Sequence, residues 1–500
     1  MRRKNILLVL LDGCRAQSLG CYGYTARDTS PAIDRLAERG LVAERVYATS
    51  NCTMPSVISM MTGVYPALHR ATATWGYYDG KYPFLPEILR SSGYQTFFAA
   101  NAVTAMSPEW GFIRGYDRAY RIGKENNWFK DSAEQARGVR KSSFKHQVKQ
   151  DLFRIARRYF PDKSEDVRMS AQLKWYRGND MGGAKSVDCV GRMLKERDQD
   201  KPFFMYVNLP VTHHPYLAPA PFVDTWGKFQ VTRNLADLNL VPGEFYGRNE
   251  DLTQEERRTL VQMYDTCVRY ADHCVERIVS MLQAANVRDD TVVILAGDHG
   301  GMTFETKKFH GSANFTYEPE IRVPLIVVDG QKGRSTSGLR SVVDLFPTAL
   351  ELAGVGQSFS PVQGKSILSE SAGHHAVMAD YPRWPLWLAE RAGDKSNLLR
   401  FWQTNRTMVA SDGKKLIWLD SGRHELFDLN ADPDEQRNIY DSDTGLPLIE
   451  RMESFYTALL GPAGRRLEIY DHADIGKGIS ELPPMSTINP SFNPESIVAV

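Results

Sequence analysis

The chain has 500 residues, more than a single hydrophobic core usually serves, so its length predicts one large domain accompanied by at least one smaller one. Its 42% hydrophobic and 24% charged residues are ordinary for a globular protein, and its formal net charge is only +1. This balance gives no overall field that would attract nucleic acid or an anionic membrane, so a charged ligand has to be held by local groups.

The first residues, MRRKNILLVLLDG, superficially resemble a signal peptide. Their apolar run, from Ile6 to Leu11, ends at Asp12 without a small-residue cleavage site, which favours a buried strand. No apolar stretch is long enough to span a bilayer. The six cysteines form no CxxC pair, so we expect free thiols in a cytoplasmic protein.

Short apolar runs alternate with helical patterns through residues 1–364, which is typical of a parallel sheet buried on both faces. The predicted strands are Asn5 to Leu11, Thr96 to Ala100, Phe203 to Asn208, Val292 to Ala296 and Val323 to Val328. The predicted helices are Pro31 to Arg39, Pro55 to Met61, Pro83 to Ser92, Gln254 to Ala284 and Val342 to Ala353. The predicted fold class is therefore α/β, with a large, mostly parallel sheet flanked by helices.

A polar, basic insertion interrupts this alternation at about residues 123–200. Within it, the segment FKHQVKQDLFRIARRYF places apolar side chains at helical spacing, which predicts a basic amphipathic helix at about residues 140–160. Such a helix can lie on a membrane surface. We favour instead a helix that packs on its own domain and turns its basic face to water.

The pattern changes after residue 364 to short alternating segments. Predicted strands at Ala376 to Asp380, Lys414 to Trp418 and Glu425 to Leu429 precede a predicted helix at Leu448 to Leu460. Residues 365–465 are thus expected to form a small α+β subdomain with an antiparallel sheet. The Pro-rich residues 466–500 are expected to form an extended tail.

Polar residues occur repeatedly just after the predicted strands. They are, in chain order, Asp12, Asn101, His213, His214, Asp298 and His299. Ligands of open parallel sheets bind beyond the carboxyl ends of the strands. One such residue alone is as readily explained as a helix cap, but their coincidence at one edge favours a site.

Three of these residues could hold a divalent cation. Asp12, Asp298 and His299 offer carboxylate oxygens and one imidazole. Carboxylates suit Ca²⁺, Mg²⁺ or Mn²⁺, whereas a further imidazole such as His310 shifts the preference towards Zn²⁺. The expectation is one divalent ion of open identity, with a second one considered at His310.

A short helix is predicted just after Thr53, because Pro55 stands near its first position and Gly63 just past its end. Thr53 would lie at the positive end of this helix, where free backbone N–H groups attract a tetrahedral anion. Taken alone, Thr53 is more readily an ordinary N-cap than a nucleophile.

Several motifs occur in a fixed order: NILLVLLDGCRAQSLGCYGY, TMPSVISMMTGVYP, LPEILRSSGYQT, NLPVTHHPY, VVILAGDHGG, YEPEIRVPLIVV, VVDLFPTALELAGV and HELFDLNADPDEQRNIY. Over about Asn5 to Tyr440 the chain thereby resembles the sulfatase family of the alkaline phosphatase superfamily. The resemblance implies an alkaline-phosphatase-like sandwich and a metal-dependent enzyme. In such an enzyme a nucleophile at a helix N-terminus attacks a sulfate or phosphate ester and forms a covalent intermediate.

The resemblance places the nucleophile at Thr53, two residues before Pro55, and leaves Cys52 one residue out of register. Sulfatases make a formylglycine from Cys or Ser in a C/S-x-P-x-R pattern, but Val57 stands where the Arg is expected. Thr cannot become formylglycine. The pattern therefore resembles the superfamily branches that use an unmodified Thr, which are typically phosphodiesterases and phosphotransferases.

The resemblance also implies roles for other positions. Gly13 replaces a frequent second Asp, so Thr53 itself could complete the metal shell with Asp12, Asp298 and His299. The implied catalytic residues are Thr53, His213, Lys308 and His310. The implied substrate-binding residues are Arg15 and Asn101, the latter in a region where sulfatases often carry a Lys. His214 is expected to be a spectator.

The function expected from the sequence is a hydrolase or transferase that cleaves a phosphate or sulfate ester through Thr53, with phosphoester chemistry favoured. One alternative is a true sulfatase that modifies Cys52, and another is an inactive, anion-binding relative. The substrate would be a small-molecule, glycan or lipid-type ester, with no nucleic-acid partner. The sequence does not indicate an oligomeric state.

Overall fold

The structure of the chain is a computed structural model that describes most, but not all, of its residues. The described residues are 3–71, 78, 80–101, 111–122, 180–228, 252–303, 310–311, 315–356, 359, 361–369, 373–381, 404–460 and 497–499. Of residues 302–303, 310–311 and 497–499, only the backbone is described. The predicted basic helix at about 140–160 and most of the predicted tail lie outside this range.

The described strands form a large sheet, a small antiparallel sheet and a hairpin. In chain order they are β1 (Asn5–Leu11), β2 (Leu41–Tyr47), β3 (Gln95–Asn101), β4 (Arg118–Ile122), β5 (Phe203–Leu209), β6 (Thr291–Ala296), β7 (Met302–Thr303), β8 (His310–Gly311), β9 (Leu325–Val328), β10 (Arg334–Ser341), β11 (Ala376–Tyr381), β12 (Asn405–Ala410), β13 (Lys414–Leu419), β14 (Glu425–Asp428) and β15 (Ile497–Ala499). The large sheet has the order β10-β2-β9-β6-β1-β5-β3-β4-β15.

The large sheet is mostly parallel, as the sequence predicts. Within it, β9 runs antiparallel to both of its neighbours, β2 and β6, while the other described neighbours run parallel. Strand β1 lies between β5 and β6, and its apolar side chains alternate between the two hydrophobic cores, one on each face of the sheet. This burial on both faces explains the uninterrupted apolar run of NILLVLL.

The described α-helices cover both faces of this sheet and part of the small one. They are α1 (Pro31–Ala37), α2 (Thr53–Thr62), α3 (Pro66–His69), α4 (Leu85–Ser91), α5 (Gly183–Glu196), α6 (Gln254–Ala284), α7 (Glu318–Ile321), α8 (Leu345–Leu352) and α9 (Ser442–Leu460). A capping box fixes the start of α6: the Glu256 N–H donates to Thr253 Oγ1 over 3.2 Å, and the Thr253 N–H donates to Glu256 Oε2 over 2.9 Å.

Strands β2, β4 and β10 belong to the large sheet although the sequence did not predict them. Charged side chains at Glu44 and Arg45 interrupt the apolar run of β2, and β10 has exposed residues at its start because it is an edge strand. The described end of the predicted insertion is also part of the domain, since α5 buries Val187, Val190 and Met193 in the core beneath α6.

The C-terminal subdomain is an antiparallel sheet, β11-β12-β13-β14, covered by α9. Strand β12, NRTMVA, was not predicted because its first residues are polar, yet all its residues are buried. The subdomain joins the large domain directly, since the Asp380 N–H donates to the Thr49 carbonyl over 2.8 Å. The predicted small α+β subdomain with an antiparallel sheet is confirmed.

No helix among the described residues is sufficiently long and apolar to cross a membrane. All six cysteines are free thiols; Cys14, Cys189, Cys267 and Cys274 are buried, whereas Cys21 and Cys52 are partly exposed. The cysteines therefore add no covalent constraint to the fold.

Candidate active site

Asp12 is the first residue after β1, and neighbouring groups hold its buried carboxylate in one orientation. Asn208, near the end of β5, donates from Nδ2 to Asp12 Oδ2 over 3.2 Å. Thr212 Oγ1 donates to the Asp12 backbone carbonyl over 2.7 Å. Because β1 and β5 run parallel, both strands deliver these residues to the same edge of the sheet.

Asp298 and His299 follow β6, on the other side of β1. The Gly13 N–H donates to Asp298 Oδ1 over 3.1 Å, while Asp298 Oδ2 is buried without a hydrogen-bond partner. Burial and the nearby charge of Asp12 raise the pKa of Asp298 to about 6. A cation bound between the two carboxylates would relieve this repulsion and occupy the unpartnered oxygen.

Thr53 begins α2, and Cys52 precedes it in an extended conformation. The Thr53 Oγ1 atom lies 3.4 Å from Asp12 Oδ1 and 3.2 Å from His299 Nε2. The Cys52 thiol contacts Asn51 Oδ1 at 3.7 Å. The contacts with Asp12 and His299 are thus made by the hydroxyl of Thr53, at the positive end of the helix.

His213 approaches the same point from the short 3₁₀ turn Pro210–Thr212 that follows β5. Its ring lies edge-on to that of His299, with centroids 5.6 Å apart. Its Nδ1 atom contacts the His214 carbonyl, which assigns the proton of a neutral ring to Nδ1 and leaves Nε2 unprotonated. The His214 ring packs against Tyr216.

The residues around Asp12 fit a divalent cation. Asp12, His213 and His299 each offer a ligand atom, and these atoms all lie within 4.8 Å of one another. The sequence predicts Asp12, Thr53, Asp298 and His299 as ligands and assigns His213 to catalysis instead. The structure therefore adds an imidazole to the group near Asp12, and the unpartnered Asp298 Oδ2 lies beside it, 3.8 Å from His299 Nε2.

Gly13, which stands where many sulfatases carry a second Asp, cannot accept a side chain without strain. Its φ is +75°, in the left-handed region, and a Cβ atom there would lie 3.0 Å from His213 Cα and 3.2 Å from the Thr212 carbonyl oxygen. The close approach of these two loops thus requires glycine and excludes a metal-binding carboxylate at this position.

Arg15 and Asn101, the two predicted substrate-binding residues, make contacts with other protein groups. The Arg15 N–H donates to the Tyr264 hydroxyl over 3.0 Å, and its guanidinium lies 4.4 Å from the centre of the Tyr264 ring. Asn101 Nδ2 donates to the Met181 carbonyl over 2.6 Å. These contacts are structural, and a role in substrate binding remains a prediction for both.

Lys308 lies outside the described residues, and His310 belongs to β8, of which only the backbone is described. His310 pairs with Thr303 in the β7–β8 hairpin that follows the Asp298–His299 loop. Their catalytic roles and a second metal at His310 therefore remain predictions.

Two residues of the site were not identified from the sequence. Asn208 orients Asp12, and its signal is a lone amide in the otherwise apolar strand FFMYVNL. Tyr264 donates to the Gly13 carbonyl over 3.0 Å and so supports the loop after β1 from α6. No feature of the sequence predicts the role of Tyr264, because a buried tyrosine on a long helix is ordinarily a core residue.

Comparison with known proteins identifies the family of the chain. The sequence model of the family described as Sulfatase matches residues 4–355. Arylsulfatase K of Xenopus laevis is 24% identical over 443 residues, which cover 82% of this chain and 74% of the relative. The multifunctional alkaline phosphatase superfamily protein PehA of Trinickia caryophylli is 24% identical over 414 residues, 74% of this chain and 77% of the relative.

The solved structures show the same fold. The phosphonate monoester hydrolase of Agrobacterium radiobacter superposes with a TM-score of 0.67 at 19% identity, over 92% of this chain and 96% of that one. A second phosphonate monoester hydrolase, from Silicibacter pomeroyi, gives a TM-score of 0.63 at 18% identity, over 93% and 96% of the two chains. With a family match over most of its length and an acid–imidazole cluster at the carboxyl edge of its sheet, the chain belongs to the sulfatase family of ester hydrolases.

Proposed function

We propose that this chain is a metal-dependent hydrolase or transferase of phosphate-type esters that uses unmodified Thr53 as its nucleophile. The observation that carries the proposal is the position of Thr53 Oγ1, 3.4 Å from Asp12 Oδ1 and 3.2 Å from His299 Nε2. The Asp12 carboxylate beside this hydroxyl can accept its proton at the moment of attack.

The surroundings of Thr53 suit an anionic ester. Backbone N–H groups in the first turn of a helix lack intrahelical partners, so the start of α2 favours the negative charge that develops on a transferred group. A divalent ion held by Asp12, Asp298 and His299 would act as a Lewis acid on an ester oxygen and favour ionisation of the Thr53 hydroxyl. Mixed oxygen and nitrogen donors are compatible with Mn²⁺ or Zn²⁺ as well as with Mg²⁺ and Ca²⁺.

In the proposed reaction, Thr53 Oγ forms a bond to phosphorus while the bond from phosphorus to the leaving oxygen breaks. The Thr53 proton passes to the Asp12 carboxylate, whose Oδ1 lies 3.4 Å from Thr53 Oγ1. Protonated His213 gives a proton to the leaving oxygen, which departs as an alcohol. Water, or the hydroxyl of an acceptor molecule, then gives a proton to His213 and attacks phosphorus, while the bond from phosphorus to Thr53 Oγ breaks and Thr53 regains its proton from Asp12. Water makes the enzyme a hydrolase and an acceptor makes it a transferase.

A sulfate ester is the second candidate, because relatives such as arylsulfatase K bear that activity in their names. It would require a modified Cys52, whose thiol contacts Asn51. Val57, which stands where the maturation motif has Arg, is buried in the hydrophobic core, and this argues against that route. A non-catalytic role is disfavoured because Asp298 keeps a buried, unpartnered oxygen beside Asp12, which a mere scaffold would not need.

The test is turnover of a nitrophenyl sulfate, a phosphate monoester and a phosphodiester with added Mg²⁺, Mn²⁺, Ca²⁺ or Zn²⁺. Phosphoester turnover should fall more than about a thousandfold in Thr53→Ala and change little in Cys52→Ala, the matched control one residue away. Mass spectrometry of the peptide containing both residues should show an unmodified Cys52. Sulfatase activity lost only in Cys52→Ala, with an aldehyde at residue 52, would overturn the proposal.

Glycan, lipid-type and other small-molecule esters are the proposed substrate classes. One solved structure of similar fold is in complex with its substrate D-glucosamine-2-N,6-O-disulfate, a sulfated sugar, at a TM-score of 0.65 and 19% identity. A panel of sugar and glycerol phosphodiesters assayed with the wild-type protein would rank these classes. Equal, low turnover of every phosphoester would contradict a dedicated phosphoesterase.

A further inference from the structure

Residues 315–321, which we call the bridge, connect the candidate site to the C-terminal subdomain. We infer that buried charges of the subdomain, Lys415 and Glu435, position the Asp298–His299 loop by holding the bridge. The inference rests on the proposed function only in that this loop is taken to bind the metal. It makes the subdomain a part of the catalytic framework in addition to any role in substrate choice.

On the site side, the bridge holds the residues that follow His299. The Gly300 N–H donates to the Glu320 carbonyl over 2.7 Å, and the Gly301 N–H donates to the Pro319 carbonyl over 2.9 Å. The His299 Nδ1 atom lies 2.7 Å from the Gly300 carbonyl oxygen, so a shift of Gly300 would rotate the imidazole. The packing is tight, since a Cβ atom on Gly300 would lie 1.9 Å from the Pro319 oxygen.

The bridge also touches the segments that lead to Thr53. Asn51, two residues before Thr53, donates from Nδ2 to the Phe315 carbonyl over 2.9 Å. The Ala48 N–H donates to the Ile321 carbonyl over 2.8 Å. The bridge therefore holds both parts of the site. Its interior carbonyls, at Pro319 and Glu320, bind the loop that carries His299. Its terminal carbonyls, at Phe315 and Ile321, bind the segment that carries Thr53.

On the opposite side, the subdomain holds the bridge through a buried ionic cluster. Lys415 Nζ lies 3.0 Å from Glu318 Oε1 and 2.8 Å from Glu435 Oε1. The Glu318 N–H donates to Glu435 Oε2 over 2.7 Å, and Tyr47 donates from its hydroxyl to Glu318 Oε2 over 3.1 Å. The side chains of Lys415 and Glu435 are wholly buried.

Two hydrogen bonds donated by hydroxyl groups flank this cluster. Thr316 Oγ1 donates to Asn405 Oδ1 over 3.2 Å, and the Tyr317 hydroxyl donates to Glu425 Oε2 over 2.8 Å. Consecutive bridge residues, from Thr316 to Glu318, thus contact three strands of the small sheet, β12, β14 and β13. Directional hydrogen bonds and ion pairs from several strands fix both the position and the orientation of α7, which apolar packing alone would fix less tightly.

The choice of charged residues supports a positioning role. Burying ions is costly, and an apolar cluster of equal volume often stabilises a fold as well or better. Glu435 also adopts a left-handed backbone conformation, with φ +55°, which is unfavourable for a residue with a side chain. Both features are expected where a defined geometry matters more than stability.

Hydrogen exchange of the metal-free protein tests the inference, with a peptide covering residues 297–303 read by mass spectrometry. In Lys415→Met we expect this peptide to exchange about tenfold faster, because Gly300 and Gly301 lose the fixed carbonyls that protect their N–H groups. The matched control is Leu416→Ala, which truncates the next residue of β13 within the subdomain's own core. We expect it to destabilise the subdomain but leave the peptide unchanged.

The Mn²⁺ dissociation constant provides a second readout on the same proteins. It should rise about tenfold in Lys415→Met and stay at the wild-type value in Leu416→Ala. If Lys415→Met fails to fold, Glu435→Gln replaces it, because this change retains the shape of the side chain. We then expect the 297–303 peptide to exchange faster than in the wild type, by a smaller factor than in Lys415→Met. Unchanged exchange in the charge variant, or equal acceleration in Leu416→Ala, would overturn the inference.

The two proposals can fail separately. Exchange is measured without metal or substrate, so faster exchange in Lys415→Met together with no phosphoester turnover by the wild type would retain the positioning role and reject the proposed function. Thr53-dependent turnover without faster exchange of the 297–303 peptide in Lys415→Met would support the proposed function and reject the positioning role.

Discussion

Asn208 donates from Nδ2 to Asp12 Oδ2 over 3.2 Å, which leaves Asp12 Oδ1 directed towards Thr53. Asn208→Leu removes the donor and leaves a buried carboxylate oxygen without its partner. We expect the Mn²⁺ dissociation constant to rise about tenfold and the free energy of unfolding to fall by about 1–3 kcal/mol. Calorimetric titration and denaturant unfolding measure the two effects.

Asn5→Leu is the control for this change, because Asn5 lies at the opposite end of β1 and donates to Thr291 Oγ1 over 3.3 Å. It should alter stability without altering Mn²⁺ affinity. Equal losses of affinity in Asn5→Leu and Asn208→Leu would show that Asn208 does not orient Asp12.

The left-handed conformation of Gly13 predicts that a second carboxylate cannot be restored there. Gly13→Asp should lower the free energy of unfolding by about 3 kcal/mol or more, because the backbone strain adds to a contact with His213. Gly23→Asp is the control: Gly23 has φ +95° but no heavy atom within 4 Å of a Cβ atom, so only the backbone cost of about 1–2 kcal/mol remains. Similar losses in both variants would contradict the proposed crowding.

The position of His213 predicts a dependence on the leaving group. Removal of the proton donor in His213→Gln should slow the cleavage of alkyl phosphoesters about a hundredfold or more, and that of nitrophenyl phosphoesters much less, since nitrophenolate leaves without a proton. His214→Gln, in which the side chain beside Tyr216 is changed, should leave both rates near wild type. A uniform loss across leaving groups would indicate that His213 binds the metal or the substrate instead.

His69 predicts acid sensitivity of the fold. Its Nε2 atom lies 3.0 Å from Ser59 Oγ on α2, and burial lowers the pKa of His69 to about 3. Below about pH 6.5 the unfolded chain binds a proton that the folded chain does not, so folding loses up to about 1.4 kcal/mol per pH unit until about pH 3. Denaturant unfolding of the wild type and His69→Gln at about pH 7 and pH 5 measures this contribution.

The difference in unfolding free energy between these two pH values should be about 2 kcal/mol smaller in His69→Gln than in the wild type. His375→Gln, at an exposed position, should retain the wild-type difference. The same pH dependence in wild type and His69→Gln would show that other groups govern acid unfolding.

The sequence predicts most accurately the elements whose local signals agree with their burial. The bounds of β1 and α6 coincide with the prediction, because β1 is an unbroken apolar run and α6 begins with a capping box. Strands β2 and β12 escaped prediction because their charged and polar residues are satisfied by contacts with distant segments. Arg45, for instance, donates to the Ser411 carbonyl over 3.1 Å.

The site likewise contains residues whose placement follows from local sequence signals and residues whose placement depends on distant contacts. Asp12, Asp298 and His299 follow strands that are neighbours in a parallel sheet, so their proximity follows from fold class and chain order. The approach of His213 depends on the 3₁₀ turn after β5, and the support from Lys415 depends on how two sheets dock. Neither leaves a periodic signal, because both arise from contacts between residues far apart in the chain.

The contacts of the bridge can form only in a certain order while the chain is being synthesised. Thr53 and His299 leave the ribosome long before Lys415 and Glu435, the residues that fix α7 from its far side. The large sheet can form around β1 while the chain is still growing, but residues 315–321 receive their full set of contacts only after β13 and Glu435 have appeared. A nascent chain that stops before β13 would contain every residue of the acid–imidazole cluster but would lack the contacts that hold these residues in their relative positions.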